Sequence, residues 1–193
     1  MKIMRIGVDL AKNVYQVHGV DRKEKPVWRR QLSRGKWLGA IFGKVEPGSE
    51  IGMEACAGAH HWARELQARG YTVKLIAPQF VKPYVKADKT DAADAEAICE
   101  AVARPNMRFV AIKNADQQAG LSMHRARSGF VKARTALVNQ IRGLLSEYGV
   151  VLAPSISHVR EGVPDIVEDG ELDLPPLFRD LLTQLYTYLC HLD

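Results

Sequence analysis

A mixed α/β domain followed by a long α-helical segment is the fold class this sequence predicts, and three observations predict it. Short β-branched runs near the N-terminus are joined by turns too tight for a crossover helix. Beyond them, apolar runs alternate with helical patterns as far as residue 112. From Asn114 to Gly149 there is no proline and one continuous helical periodicity.

Met4–Leu10 reads as a buried strand and Asn13–Val20 as a second. Only Ala11-Lys12 separates the core of each, so the two pair as a hairpin. Pro26–Leu32 is a third strand after the charged turn Asp21–Lys25. Ser33 is placed to cap a helix over 34–44. Pro47-Gly48-Ser49 breaks the chain before a strand at Glu50–Glu54. A helix from Ala59 to Arg69 ends at Gly70, a good residue for leaving a helix. Tyr71–Ala77 is a strand closed by Pro78. Gln79–Lys86 is a short helix interrupted by Pro83. Asp88 is a candidate cap for a helix reaching Ala103, and Arg108–Ile112 is one more short strand. The order is that of ribonuclease-H-like folds.

In the long helix, Met123, Phe130, Leu137, Ile141, Leu144 and Tyr148 form the expected apolar stripe, interrupted by Arg127 and Arg134. Residues 150–172, with proline, glycine and acids, read as a loop. Pro175-Pro176 opens a last helix with Leu177, Leu181, Leu185, Tyr188 and Leu192 on one face. The two helices are expected to close as an antiparallel hairpin or to dimerise.

Composition narrows the function classes. Of the 193 residues, 47% are hydrophobic, enough for a real core, and no apolar run reaches the roughly 18 residues a membrane span needs. The N-terminus lacks the pattern of a secretory signal, and Cys56, Cys99 and Cys190 have no metal-type spacing. A reduced, cytoplasmic setting is the expectation. The net charge is +5, unevenly spread. Residues 1–149 hold 25 Lys and Arg against 14 Asp and Glu, whereas 150–193 hold 2 against 8. A basic body of that kind suits a polyanion as well as it suits water.

The residues that carry chemistry are acids. Asp9 ends the first strand, Glu54 ends the fourth, and Asp91 and Asp94 share a face of the helix after Lys89-Thr90. Each has an ordinary alternative: a turn residue for Asp9, and acids favoured by helix N-termini for the others. Together they could hold two divalent cations. Oxygen ligands suit Mg²⁺, and a two-metal site clamps both oxygens of a phosphodiester displacement. Lys86 and Lys89 precede the acid pair and are placed to meet phosphates or simply to face water. His60 and His61 are adjacent and so diverge on a helix, and Cys56 has no base within sequence reach. Gly35–Gly43 lacks the ending of a P-loop.

These residues resemble a known family. Ile6-Gly7-Val8-Asp9-Leu10-Ala11-Lys12-Asn13 is similar to the opening of the DEDD-type transposases of insertion sequences, relatives of the Piv DNA invertases. Met53-Glu54 followed by Gly58, Trp62, Leu66 and Gly70 resembles the family's second acidic motif, and Lys89-Thr90-Asp91-Ala92-Ala93-Asp94-Ala95 its third. The stretch Ala133–Leu145 resembles its long-helix signature.

The resemblance implies a RuvC-like catalytic domain over 1–112 and a helical connector over 113–193. It implies that Asp9, Glu54, Asp91 and Asp94 are the catalytic, metal-binding acids, loaded with Mg²⁺ or alternatively Mn²⁺. It also implies DNA cleavage and strand transfer, in some members directed by a structured RNA that the element encodes. The expected nucleic-acid contacts are Lys12, Lys86, Lys89, Arg127, Arg134 and Arg142, and the expected partners are DNA, a guide RNA and further copies of the chain, with no membrane. The family continues into a domain with a serine nucleophile. Ser155 and Ser157 lack that context, so complete recombination is not expected of these 193 residues alone. Three other readings fit the residues less fully: a junction-resolving Mg²⁺ nuclease, an actin-like ATP-binding half, and a nucleic-acid-binding module without catalysis.

Overall fold

The computed structural model describes residues 2–85 and 91–192. Lys86, Asp88, Lys89 and the side chain of Asp91 fall outside that set. The chain forms two compact units, Met1–Asp116 and Gln117–Asp193.

The first unit is the ribonuclease-H-like α/β fold. Strands β1 (Arg5–Leu10), β2 (Val14–Val20) and β3 (Pro26–Ser33) make an antiparallel meander. In the β2–β3 turn, Asp21 accepts hydrogen bonds from the backbone N–H groups of Lys23 (2.8 Å) and Lys25 (3.0 Å). That side chain does locally what a backbone carbonyl would do in a tighter turn. Helix α1 (Trp37–Lys44), β4 (Glu50–Glu54), α2 (Ala59–Gln67) and β5 (Thr72–Ile76) follow. Gly70 leaves α2 with φ of +83°, a conformation that glycine adopts without steric cost. Next come α3 (Pro78–Val81), a 3₁₀ turn (Lys82–Tyr84), α4 (Asp91–Val102) and β6 (Phe109–Val110). The strand order is β3-β2-β1-β4-β5-β6. β4 is parallel to β1 and β5, while β6 runs antiparallel to β5, so the βαβ pattern does not extend to the last strand.

Ser33 does not cap α1. It ends β3, pairing with Val14, and the cap position is Lys36. Three more residues of turn are needed because the Arg34 N–H first bonds back to the Asn13 carbonyl (2.9 Å).

The sheet has two unlike faces. On one, Ile6, Val8, Ile51, Met53 and Leu75 pack with Trp37, Ile41 and Leu66. On the other, α4 lies close against the strands, bringing Ala97, Ile98, Ala101 and Val102 onto Ile76 and Val81. Gly7 and Gly52 permit that approach. A Cβ on Gly7 would sit 2.1 Å from the Ala95 carbonyl oxygen, and one on Gly52 3.0 Å from the Val102 Cβ.

The second unit packs the C-terminal part of α5 (Ala115–Ser146) with α6 (Ile156–Glu168) and α7 (Pro176–His191). Helix α6 replaces the loop expected over 150–172. Ser155 caps it by accepting from the His158 N–H (3.0 Å), and Val159, Val163 and Ile166 bury one stripe. Pro164 sits inside the helix, and Gly162 leaves room for Leu152, whose side chain would be 2.9 Å from a Cβ there. Both residues looked like breakers in the sequence.

Two stripes are also reassigned. α7 buries Phe178, Leu182 and Leu189, while Leu177, Leu181 and Tyr188 are exposed. The buried face is one residue, about 100°, round from the expected one. In α5 the buried residues are Leu137, Val138, Ile141 and Leu145, whereas Met123 is 75% and Phe130 60% exposed.

Candidate functional site

The register places the first two acids side by side. Val8 pairs with Met53 across parallel strands, so Asp9 and Glu54 are the next step of the same ladder. Adjacent strands lie roughly 5 Å apart, which sets the spacing of their Cα atoms. Both share a face with Gly7 and Gly52, because side chains alternate along a strand. That is the α4 face. Both acids are half-buried.

Helix α4 brings the third. Gly7 lies under Ala95 and Cys99, and Gly52 under Ile98 and Val102. Arg5, at the start of β1, donates to the Cys99 carbonyl (2.9 Å), while Asp94 acts on Glu54 at the end of β4, so α4 runs opposite to both strands. Two residues up a strand is roughly 6.6 Å, and one turn back along the helix is roughly 5.4 Å. The first turns of α4 therefore reach the level of Asp9 and Glu54. Half-buried Asp94 is on those turns, and Asp91 is the first residue of the helix.

Electrostatics follow the geometry. The Glu54 carboxyl is pushed above its ordinary value by desolvation first and the Asp94 charge second, with Lys82 opposing. The Cys56 thiol is also pushed up, by burial and then by Glu54 and Asp9. Its sulfur lies 3.8 Å from the Leu10 carbonyl oxygen. Lys82 is thus a neighbour of the acids that the sequence did not single out, and Cys56, weighed there as a thiol without a base, borders them as well. Lys82 follows β5 in a 3₁₀ turn, and only the sheet order puts that turn beside β4.

A half-buried carboxyl raised by desolvation and by a neighbouring acid, as Glu54 is, is what a hard, oxygen-seeking cation would relieve. Among the described residues, no three His, Cys, Asp or Glu side chains gather into a ready-made cage. Mg²⁺ fits such a donor set, since it keeps several waters and binds through one or two carboxylates plus substrate phosphate.

The other candidates scatter. His60 Nδ1 accepts from the Lys113 N–H (3.2 Å), and His61 lies against Trp62 with ring centroids 4.6 Å apart. Lys12 is exposed in the β1–β2 turn. In the second unit, Arg127 is exposed, Arg134 is half-buried, and Arg142 donates to the Leu152 carbonyl (3.1 Å), tying α5 to the segment before α6. Ser155 and Ser157 hydroxyls are 2.8 Å apart at the α6 cap. Among the described residues no helix is long and apolar enough to cross a membrane.

Known proteins resemble this chain along most of its length. A transposase family model, of the DEDD type named for IS110, matches residues 6–150. A probable family 20 transposase of Pseudomonas aeruginosa is 61% identical over 151 residues, covering 78% of this chain and 44% of the relative. The putative transposase y4pF/y4sB of Sinorhizobium fredii is 48% identical over 93% of this chain and 46% of its own length. The transposase for insertion sequence element IS1111A of Coxiella burnetii is 41% identical over 100% of this chain and 53% of its own length. The chain spans about half the length of the curated relatives it matches.

Proposed function

This chain belongs to the DEDD-type transposase family of insertion sequences, and on that premise we propose that residues 1–112 are a RuvC-like catalytic domain for metal-dependent DNA cleavage and strand transfer, with 113–193 as its helical connector. The observation that carries the reading is the meeting of Asp9 and Glu54, on adjacent strand ends, with the first turns of α4 and Asp94.

Asp9, Glu54, Asp91 and Asp94 would hold Mg²⁺, or Mn²⁺ in its place. Bound there, the ions would polarise a phosphodiester and acidify an attacking hydroxyl. The chain's own contribution is preorganisation. β1 and β4 fix two carboxylates on a rigid sheet, and α4 is seated by Gly7 and Gly52 so that its acids keep their height. Lys82 offsets part of the negative charge at Glu54 and is placed to meet a phosphate.

DNA is the proposed substrate, supported by the family and by the excess of 25 basic over 14 acidic residues in 1–149. A guide RNA encoded by the element is the proposed director of site choice. A homo-oligomer is the proposed assembly, supported by exposed Met123 and Phe130 on α5.

Thermal unfolding with and without Mg²⁺ tests the site. Mg²⁺ should raise the melting temperature of the native sequence and leave Glu54→Gln and Asp91→Asn unmoved. An equal rise in all three would remove the acids from the site.

A further inference from the structure

The line of side chains that includes Asp9 does not stop at the acids. Gln16 stands directly opposite Asp9, and Gln31 directly opposite Gln16. Directly paired residues share a face, so Gln31, Gln16 and Asp9 form one row on the α4 side of the sheet. A second row below it runs Arg29, His18, Gly7. β3 is the edge strand, and Gln31 and Arg29 are exposed on it, with Gln16 half-buried between edge and acid. Helix α4 borders this shelf with Ala92, Ala93 and Glu96 but does not fill it, leaving a cavity of about 240 Å³ against Gln16, His18, Arg29 and Arg30, with Gln31 beside it in the row rather than in its lining.

The chemistry of the shelf is selective. Its side chains near the edge are the amides of Gln16 and Gln31 and the guanidiniums of Arg29 and Arg30, without a large apolar group to anchor a protein partner. Amides both donate and accept, which suits phosphate oxygens and base edges alike. Among the described lining residues Glu96 is the one acid, and it is engaged by Arg29 (3.0 Å) and lies 3.8 Å from His18 Nδ1. Arg29 can exchange that partner for a phosphate. From Asp9 to Gln31 is two strand spacings, roughly 10 Å, or about three nucleotides at the 3.4 Å rise of one DNA strand.

We propose that the β2–β3 shelf of Gln16, Gln31 and Arg29 is the track along which the reacting DNA strand leaves the acids. The proposal rests on the nucleic-acid reading of the acidic site, but it needs neither metal nor cleavage.

The test is binding of a short labelled single-stranded DNA by the full chain in EDTA. Gln31→Glu and Arg29→Ala should each weaken binding about tenfold, and Arg29→Ala should flatten the log–log salt slope by about one phosphate contact. Arg22→Ala, in the β2–β3 turn at the far end of these strands, should change affinity less than about twofold. Losses in the shelf variants no larger than that of Arg22→Ala would overturn the proposal. A photoreactive benzophenone side chain at exposed position 31 gives a second measure that does not depend on a weakened variant. It should crosslink to the DNA, and the same group at position 22 should not; the reverse pattern would also overturn the proposal. A native chain that ignores Mg²⁺ but binds DNA through the shelf would sink the metal reading and leave the shelf standing, and a native chain that responds to Mg²⁺ but whose shelf variants bind DNA unchanged would do the opposite.

Discussion

Glu54 is where burial and like charge act in the same direction. The unfolded chain releases that proton near its ordinary value of 4.5, and the folded chain holds it more tightly. Protonation therefore favours the metal-free fold below about pH 4.5, and the advantage is lost as pH rises through the raised native pKa. In EDTA at neutral pH, Glu54→Gln should melt above the native sequence, and the gap should close in acid, where both side chains are neutral. Calorimetry across that range reads it directly. A gap that stayed constant with pH would mean that Glu54 is not strained by its neighbours. Its residue type and place at a strand end could be read in advance. Its grouping with Asp9, Asp91 and Asp94 could also be read in advance, but not how far burial and the Asp94 charge would push its carboxyl, because desolvation is set by packing between residues far apart in the chain.

Among the elements, α4 depends on two glycines of unequal strictness. Gly7→Ala would drive a methyl into backbone atoms, the Ala95 oxygen at 2.1 Å and the Cys99 nitrogen at 2.4 Å. Gly52→Ala would meet the Val102 Cβ at 3.0 Å, a contact relieved if α4 gives by a few tenths of an ångström. Urea unfolding should show a loss of about 3 kcal/mol or more for the first and about 1 kcal/mol for the second. Similar losses would mean that α4 can slide on the sheet. In the helical unit, Arg179 holds the α6–α7 connection together. Its guanidinium donates to the carbonyls of Ile166 (3.1 Å), Val167 (2.8 Å), Leu172 (2.6 Å) and Leu174 (3.3 Å). Arg179→Ala should cost about 2–4 kcal/mol, because several half-buried carbonyls lose a charged donor together. An unchanged urea midpoint would assign that connection to packing alone. Neither the clamp nor α6 was legible in the sequence. Pro164 and Gly162 hid the stripe Val159, Val163, Ile166, and a long-range contact such as Leu152 against Gly162 leaves no local pattern.

For the whole molecule, the question is what covers the N-terminal part of α5. Leu137 is 5% exposed within its own unit, so an acid there would break the fold rather than report on association. Met123 and Phe130 face outward and make the cleaner test. Sedimentation of the native sequence at micromolar concentration should show a dimer, and Met123→Asp with Phe130→Asp should give a monomer of unchanged helicity. A monomeric native chain would remove α5 as a self-association surface. The division of charge, basic through residue 149 and acidic after it, is visible without any structure.

The sequence by itself determined the kinds of element and the kinds of chemistry. Alternation marked the strands of the first unit, the proline-free stretch marked α5, and four acids in family-like motifs marked the site. These are local signals, carried by neighbouring residues and by residue type. Tertiary structure alone decided which partners meet. The ladder through Val8 and Met53 makes Asp9 and Glu54 neighbours, the glycine seats set the height of α4, and the row Asp9–Gln16–Gln31 exists only through strand register. Helix faces in the second unit were decided in the same way. Several apolar stripes were available on α5 and α7, and the helix that chooses among them, α6, is itself stable only when packed against both.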